Sequence, residues 1–300
     1  MLLCLLAVLP LPSRADGDSL VISLVLSDRS MPYQQFSQSL GKTLAASNAD
    51  VNIITPPTPN GVKTGLIIAV GMRAAEFAIT NSDAPVLAVM IPKTGYEMLL
   101  EKQAAQNRTR ATSAIYLNQP WERQLDFILA ALPGYGRLGL LYPPDTYTDI
   151  AGLRQRVSER GLSLDARPVR FAEMLFPALD EMLDDVDLLL AIPDSAIYNS
   201  NNVRNILLTS YWHKVPLVGI SQAYVSAGAI CAIFSTPEQL AVQAAGVAVS
   251  FARNRQLPAP QYPASFSIAI NQQVARSLGV VLDTPEAIRE RMNKAGGGER

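Results

Sequence analysis

Histidine occurs once in the 300-residue chain, at His213, and cysteine twice, at Cys4 and Cys231. That inventory removes most side-chain catalysis. A Ser–His–Asp triad would have to use His213, yet no Gly-x-Ser-x-Gly elbow presents a serine to it. His213 lies in Trp212-His213-Lys214-Val215-Pro216 at a helix end, where a cation suits the helix dipole without any catalytic role. A zinc site built on several histidines is impossible, and Cys231 alone is a poor ligand. No Gly-x-x-x-x-Gly-Lys loop cradles a nucleotide, and no Gly-x-Gly-x-x-Gly follows the first apolar run. Asp184-Asp185 ends a helix and reads as a solvated pair. No cofactor and no metal are expected. What remains is the chemistry of recognition.

In open α/β sheets ligands settle beyond the carboxyl ends of the strands. That rule selects Ser27 and Asp28, Gly71 and Met72, and Pro92 and Lys93 in the first half of the chain. In the second half it selects Tyr142 to Asp145, Asp194, Ser195 and Tyr198, and Ser221 to Tyr224. Gly71 and Met72 open a helix, where unbonded N–H groups suit a carboxylate or other anion. The simpler use of Gly71 is a tight strand-to-helix turn. Tyr142, Tyr198 and Tyr224 have planar rings for stacking and equally serve as half-buried filler. Trp121, in the first turn of a helix at mid-chain, offers packing or a cleft contact.

The elements that must hold these residues alternate regularly. Leu20 to Leu26, Val51 to Ile54, Leu66 to Val70 and Pro85 to Ile91 read as strands. Tyr33 to Ala46, with Phe36, Leu40 and Leu44 on one face, and a segment from about Arg73 read as helices. A helix from about Gln119 stops at Pro133-Gly134, and the rhythm restarts. The strands are then Leu138 to Tyr142, Leu162 to Val169, Asp187 to Ile192, Pro216 to Ile220, Ala229 to Phe234 and Phe266 to Ile270. The helices are Asp149 to Arg160, Ala172 to Leu183, Asn202 to Trp212 and Pro237 to Arg253. Thr236-Pro237-Glu238 fits a cap with proline at the first helical position. Continuous β-branched runs between helices indicate parallel strands buried on both faces. The expected fold class is α/β: two doubly wound parallel-sheet lobes joined by a hinge, with a cleft between them.

Hydrophobic residues make up 49% of the chain and charged residues 17%, so the chain is globular. With a net charge of −1 there is no basic field, and no nucleic-acid partner is expected. Leu2 to Leu11 is nearly all apolar and Ser13-Arg14-Ala15 follows. Residues 1–15 therefore read as a secretory signal peptide cut before Asp16, lacking the usual positive n-region. Cys4 would leave with it, and Cys231 cannot then form an intrachain disulfide. The alternative use of Cys4 is a lipidation site, disfavoured because a lipoprotein cysteine follows a charged n-region and a full apolar stretch and here only three residues precede it.

From Asp187 to Leu282 the chain resembles the periplasmic substrate-binding proteins of ABC transporters, a family with some members that take aromatic amino acids. The resemblance is carried by Pro193-Asp194-Ser195, Val215-Pro216-Leu217-Val218-Gly219 and Ser226-Ala227-Gly228-Ala229. Leu257-Pro258-Ala259-Pro260 and the run from Asn271 to Gly279 complete it. The family's aromatic-Gly pair is replaced here by Phe234-Ser235-Thr236. The resemblance implies a type I periplasmic-binding fold whose chain crosses between lobes three times. It implies lobe one as 16–115 plus 236–260 and lobe two as 116–235 plus 261–300. It implies a monomeric, periplasmic, non-enzymatic protein that carries a small solute, possibly an amino acid, to a membrane permease; a sensor signalling to a membrane kinase or receptor is the alternative. It also places Asp194 where relatives hold a polar group of the ligand, often an amine, which a carboxylate would pair by a charge-assisted hydrogen bond. The generic alternative for Asp194 is a turn residue.

Overall fold

The computed structural model describes residues 19–47, 49–55, 63–106, 110–144 and 149–296; the leader expected at 1–15, Cys4 and Asp145 lie outside them. The first sheet contains β1 (Leu20–Leu26), β2 (Val51–Ile54), β3 (Leu66–Val70), β4 (Val86–Ile91) and β5 (Thr112–Tyr116). Their order is β2-β1-β3-β4-β5, every pair parallel. The helices around it are α1 (Met31–Ala46), α2 (Met72–Asn81) and α3 (Lys93–Ala105). The second half holds α4 (Trp121–Ala131), β6 (Arg137–Tyr142), α5 (Ile150–Glu159), β7 (Ser163–Pro168), α6 (Leu175–Leu183) and β8 (Leu188–Leu190). It continues with α7 (Val203–Trp212), β9 (Leu217–Gly219), α8 (Gln222–Ala227), β10 (Cys231–Phe234), α9 (Pro237–Asn254), β11 (Ser267–Ile270), α10 (Gln272–Ser277) and α11 (Pro285–Gly296). Its sheet runs β11-β10-β9-β8-β6-β7, parallel except for the antiparallel β10–β11 pair.

Both faces of the first sheet are covered, which is why its strands read as unbroken apolar runs. Leu66, Ile68 and Val70 share one core with Phe36, Leu40 and Leu44 of α1 and the alanine-rich face of α9. Ile67 and Ala69 point the other way, into the core beneath α2 and α3. On β4 the alternation breaks at Met90, whose φ is 58°. The register slips between Val89 and Ile91 opposite β5. This bulge leaves Met90 on the α9 side with Val89 and turns Ile91 to the α3 side. It re-aims the chain at the point where Pro92 and Lys93 leave the sheet.

The helix expected over Ala172 to Leu183 is instead a 3₁₀ turn at Ala172–Met174 followed by α6. Pro177 occupies the first turn of α6, where its missing N–H costs nothing. The chain passes between the two sheets at 117–120, at 235–236 and at 255–266. The second passage leads into α9, which returns to the first sheet's core. Its start is a full capping box. Thr236 Oγ1 accepts from Gln239 N–H at 3.2 Å, and Gln239 Oε1 accepts from Thr236 N–H at 2.9 Å.

Candidate functional site

Between the lobes lies a cavity of about 390 Å³. The first-sheet side contributes Met72, Pro92, Thr94, Gly95, Met98 and Glu101; the second contributes Pro143, Asp194, Ser195 and Ala196. A second space of about 300 Å³ shares Thr94 with it and is bordered by Lys93, Trp121, Glu122, Asp149, Arg156 and Tyr262, among others. Both lie where the strand-end rule directs attention, beyond the carboxyl ends of β3, β4, β6 and β8.

Asp194 reaches the cavity because β8 ends four residues earlier and α7 starts well beyond it. Its Oδ1 accepts N–H bonds from Ala196 at 2.8 Å and Ile197 at 3.1 Å. The turn role is therefore real, and one oxygen performs it. Oδ2 has no hydrogen-bond partner among the described residues. Ser195 lines the same wall, and its carbonyl accepts from Asn199.

Across the cleft, Gly71 has φ 84° and ψ 167°, a conformation open to glycine alone. A Cβ there would run into Tyr33 Oη and lie 2.6 Å from Ser27 Oγ. Ser27 Oγ accepts the Ala74 N–H at 2.9 Å and so caps α2. Gly71 N–H donates to Val89 O at 2.8 Å. The helix start expected to offer free donors has thus committed two of them, one at Gly71 and one at Ala74. Met72 lines the cavity with its side chain, its sulfur against Gly95. Asp28 borders neither space. It accepts from Ser30 N–H at 2.8 Å and from Arg73 Nη2 at 3.0 Å. The Ser30 hydrogen bond first, then the Arg73 guanidinium, hold its carboxyl below the usual carboxylate range.

Of the tyrosines read from the sequence as stacking rings or half-buried filler, Tyr198 and Tyr224 brace the second lobe through their hydroxyls. Tyr198 is 6% exposed, and its hydroxyl donates to Leu190 O at 3.3 Å. Burial pushes its phenol far above the ordinary value. Tyr224 donates to Tyr198 O at 2.8 Å, and burial pushes its phenol up to about 12. Ser221 caps α8 by accepting from Tyr224 N–H at 3.4 Å. Tyr142 packs, half-buried, against the second core. Reading by residue type missed Thr94, Gly95, Met98 and Glu101, all on α3, a helix with little apolar periodicity. It also missed Tyr33, whose hydroxyl covers Gly71.

Residues 61–294 match the family model for ABC transporter substrate binding proteins. The chain belongs to this family. Solved structures with the same architecture include a conserved domain protein from Vibrio cholerae, 16% identical over 91% of this chain and 98% of that one, with a TM-score of 0.64. Another is an ABC domain in complex with L-Trp from Streptococcus pneumonia, 15% identical over 91% and 98%, with a TM-score of 0.61. A third is the ligand-free, open form of a Clostridium difficile substrate binding protein with adhesive properties, 14% identical over 89% and 97%, with a TM-score of 0.66. A search of curated proteins gave no match. At these identities the structures establish the fold, that of type I periplasmic-binding proteins. The family is one of solute-binding proteins; membership implies a small-molecule ligand and a membrane permease as partner. No helix among the described residues is long and apolar enough to cross a membrane.

Proposed function

We propose that this protein is the exported receptor of an ABC importer and holds a small zwitterion, such as an amino acid, between its two lobes. The observation that carries this reading is the cavity at Asp194. It is shared by both lobes, and Asp194 Oδ2, which has no hydrogen-bond partner among the described residues, suits an ammonium group, with the Glu101 carboxylate bordering the same space. Met72, Pro92 and Met98 supply an apolar wall opposite. Ligand would favour the closed arrangement by touching both lobes at once. We take lobe one as 16–115 plus 236–260 and lobe two as 116–235 plus 261–300, with residues 1–15 as the export leader and the receptor acting as a monomer in the periplasm. Membership in a transporter family favours delivery to a permease over signalling to a sensor kinase. The test is titration calorimetry with a panel of amino acids on wild type and Asp194→Ala. The reading expects one ligand to bind wild type and to lose at least tenfold in affinity to the variant, the scale of a lost charged hydrogen bond. Equal affinity would remove Asp194 from the site.

A further inference from the structure

Polar side chains of the first two passages bond to each other, and the set is tied to backbone carbonyls of the third. On the first, Gln119 is 5% exposed. Its Nε2 donates to Ser235 Oγ, on the second passage, at 2.9 Å. Ser235 Oγ donates to Ser265 O, on the third, at 2.6 Å. Arg123, in the first turn of α4, closes the loop. Its Nη1 donates to Gln119 Oε1 at 2.7 Å and to Pro263 O at 2.9 Å. The guanidinium also lies 5.0 Å from the centre of the Phe266 ring. On the lobe-one side Gln243 of α9 grips the same third passage. It donates to Gln261 Oε1 at 2.9 Å and accepts from Ala264 N–H at 2.9 Å.

Arg123 is a half-buried cation with no carboxylate in ion-pair reach among the described residues. Desolvation disfavours its charge. Some other arginines of this chain do find acids, as Arg137 does with Asp187 at 2.7 Å and Arg156 with Glu122 at 2.9 Å. A buried cation held by two neutral oxygens and a ring face contributes little to stability compared with an apolar side chain of the same size. What it supplies is a link between passages that are far apart in sequence. Arg123 borders neither inter-lobe space, so it does not touch ligand there.

We propose that Arg123, with Gln119 and Ser235, is a positioning residue that couples the three hinge passages, so that the lobes move as one rotation about a single axis. Bending one passage alone breaks at least one of these hydrogen bonds, charge-assisted where Arg123 is the donor; bending all three together preserves the set. The inference rests on the reading that the lobes close on a ligand, but its test needs no ligand.

Spin labels at Gln38→Cys on α1 and Ser158→Cys on α5, both exposed, report the distance between lobes. The full chain carries Cys4→Ser, and Cys231, 0% exposed, stays unlabelled. Without ligand, wild type gives a narrow distance distribution. Arg123→Gln is expected to widen it at least twofold, and Arg123→Lys, which keeps a cation with several donors, to restore most of the width. Ser235→Ala breaks the relay without touching the cation and is expected to widen it as well, which covers the case in which Arg123→Gln does not fold. Arg289→Gln is the control. Arg289 lies 4.3 Å from the same ring and bonds to Phe266 O, but links no two passages. Unchanged width in Arg123→Gln and Ser235→Ala overturns the proposal, and so does equal widening in Arg289→Gln, which would mean general loosening. Failure to bind any solute would count against the proposed function and leave this result standing.

Discussion

Replacing Gly71 with alanine tests whether the cleft wall of lobe one is built as described. The backbone at φ 84° and ψ 167° is strained for any residue with a Cβ, by about 1–3 kcal/mol. The new methyl also meets Tyr33 Oη and would lie 2.6 Å from Ser27 Oγ. Moving Ser27 releases the Ala74 N–H that it caps at 2.9 Å, worth about 1 kcal/mol. Together the loss is about 2–4 kcal/mol, a fall in melting temperature of about 3–7 °C for a chain of this size. Gly41→Ala provides the reference. Gly41 sits inside α1 with nothing within 4 Å of an added Cβ, so alanine there is expected to stabilise, by up to about 1 kcal/mol. Circular dichroism melts of the two variants give the comparison. If Gly71→Ala melts alongside Gly41→Ala, the strain and the Ser27 cap have been misjudged.

Three further outcomes follow from particular contacts. Asp187 is hydrogen-bonded by the Arg137 guanidinium and by the Arg137 and Gly136 N–H groups, and the guanidinium first holds its carboxyl below the usual range. Its folded value lies below its unfolded one, so this stabilisation is present above about pH 4 and disappears as pH falls through the folded value. The stabilities of wild type and Asp187→Asn should therefore differ at pH 7, by about 1 kcal/mol or less at this half-exposed site, and the gap should shrink steadily as pH falls below about 4; a gap that does not shrink in acid contradicts the assignment. Cys231 is 0% exposed, and burial pushes its thiol up, so a thiol reagent should label it only once denaturant opens lobe two; rapid native labelling counts against the second core. Arg255 ends α9 at φ 56° and is exposed, so Arg255→Gly should raise the denaturation midpoint, by up to about 1 kcal/mol, and a lowered midpoint would show that its side chain matters to the link.

The strands of the first sheet were readable because helices cover both of its faces, leaving β3 and β4 wholly apolar. The start of α9 was readable because Thr236 and Pro237 are cap residues, although the partner Gln239 went unnoticed. α3 was not readable. Only Tyr96, Leu99 and Gln103 of its thirteen residues are buried, and Gly95 sits in its first turn. That gap hid Thr94, Gly95, Met98 and Glu101 from the site. β5, with the sequence TSAIY, is short and opens on hydroxyl residues, and α11 carries few apolar side chains beyond Ile288 and Met292. The strand-end rule selects Met72, Pro92, Pro143, Asp194 and Ser195, which border the cavity, and also Ser27, Asp28 and Ser221 to Tyr224, which do not; it carries no information on the direction of a side chain. Tyr198 follows Asp194 by four residues, yet one faces the core and the other the cavity, which no residue type announces. The hinge bonds were invisible for a related reason: Gln119, Ser235 and Pro263 are far apart in sequence and unremarkable singly.

The central claim is that the space between the lobes holds a small solute through Asp194. Titration calorimetry on the full chain, refolded to remove carried-over solute, tests it directly against amino acids, sugars, nucleosides and inorganic anions. The account predicts saturable one-to-one binding of a zwitterionic solute to wild type and a loss of at least tenfold in affinity on Asp194→Ala. Binding of a sugar or an anion that is untouched by Asp194→Ala, or no binding across the panel, would contradict it.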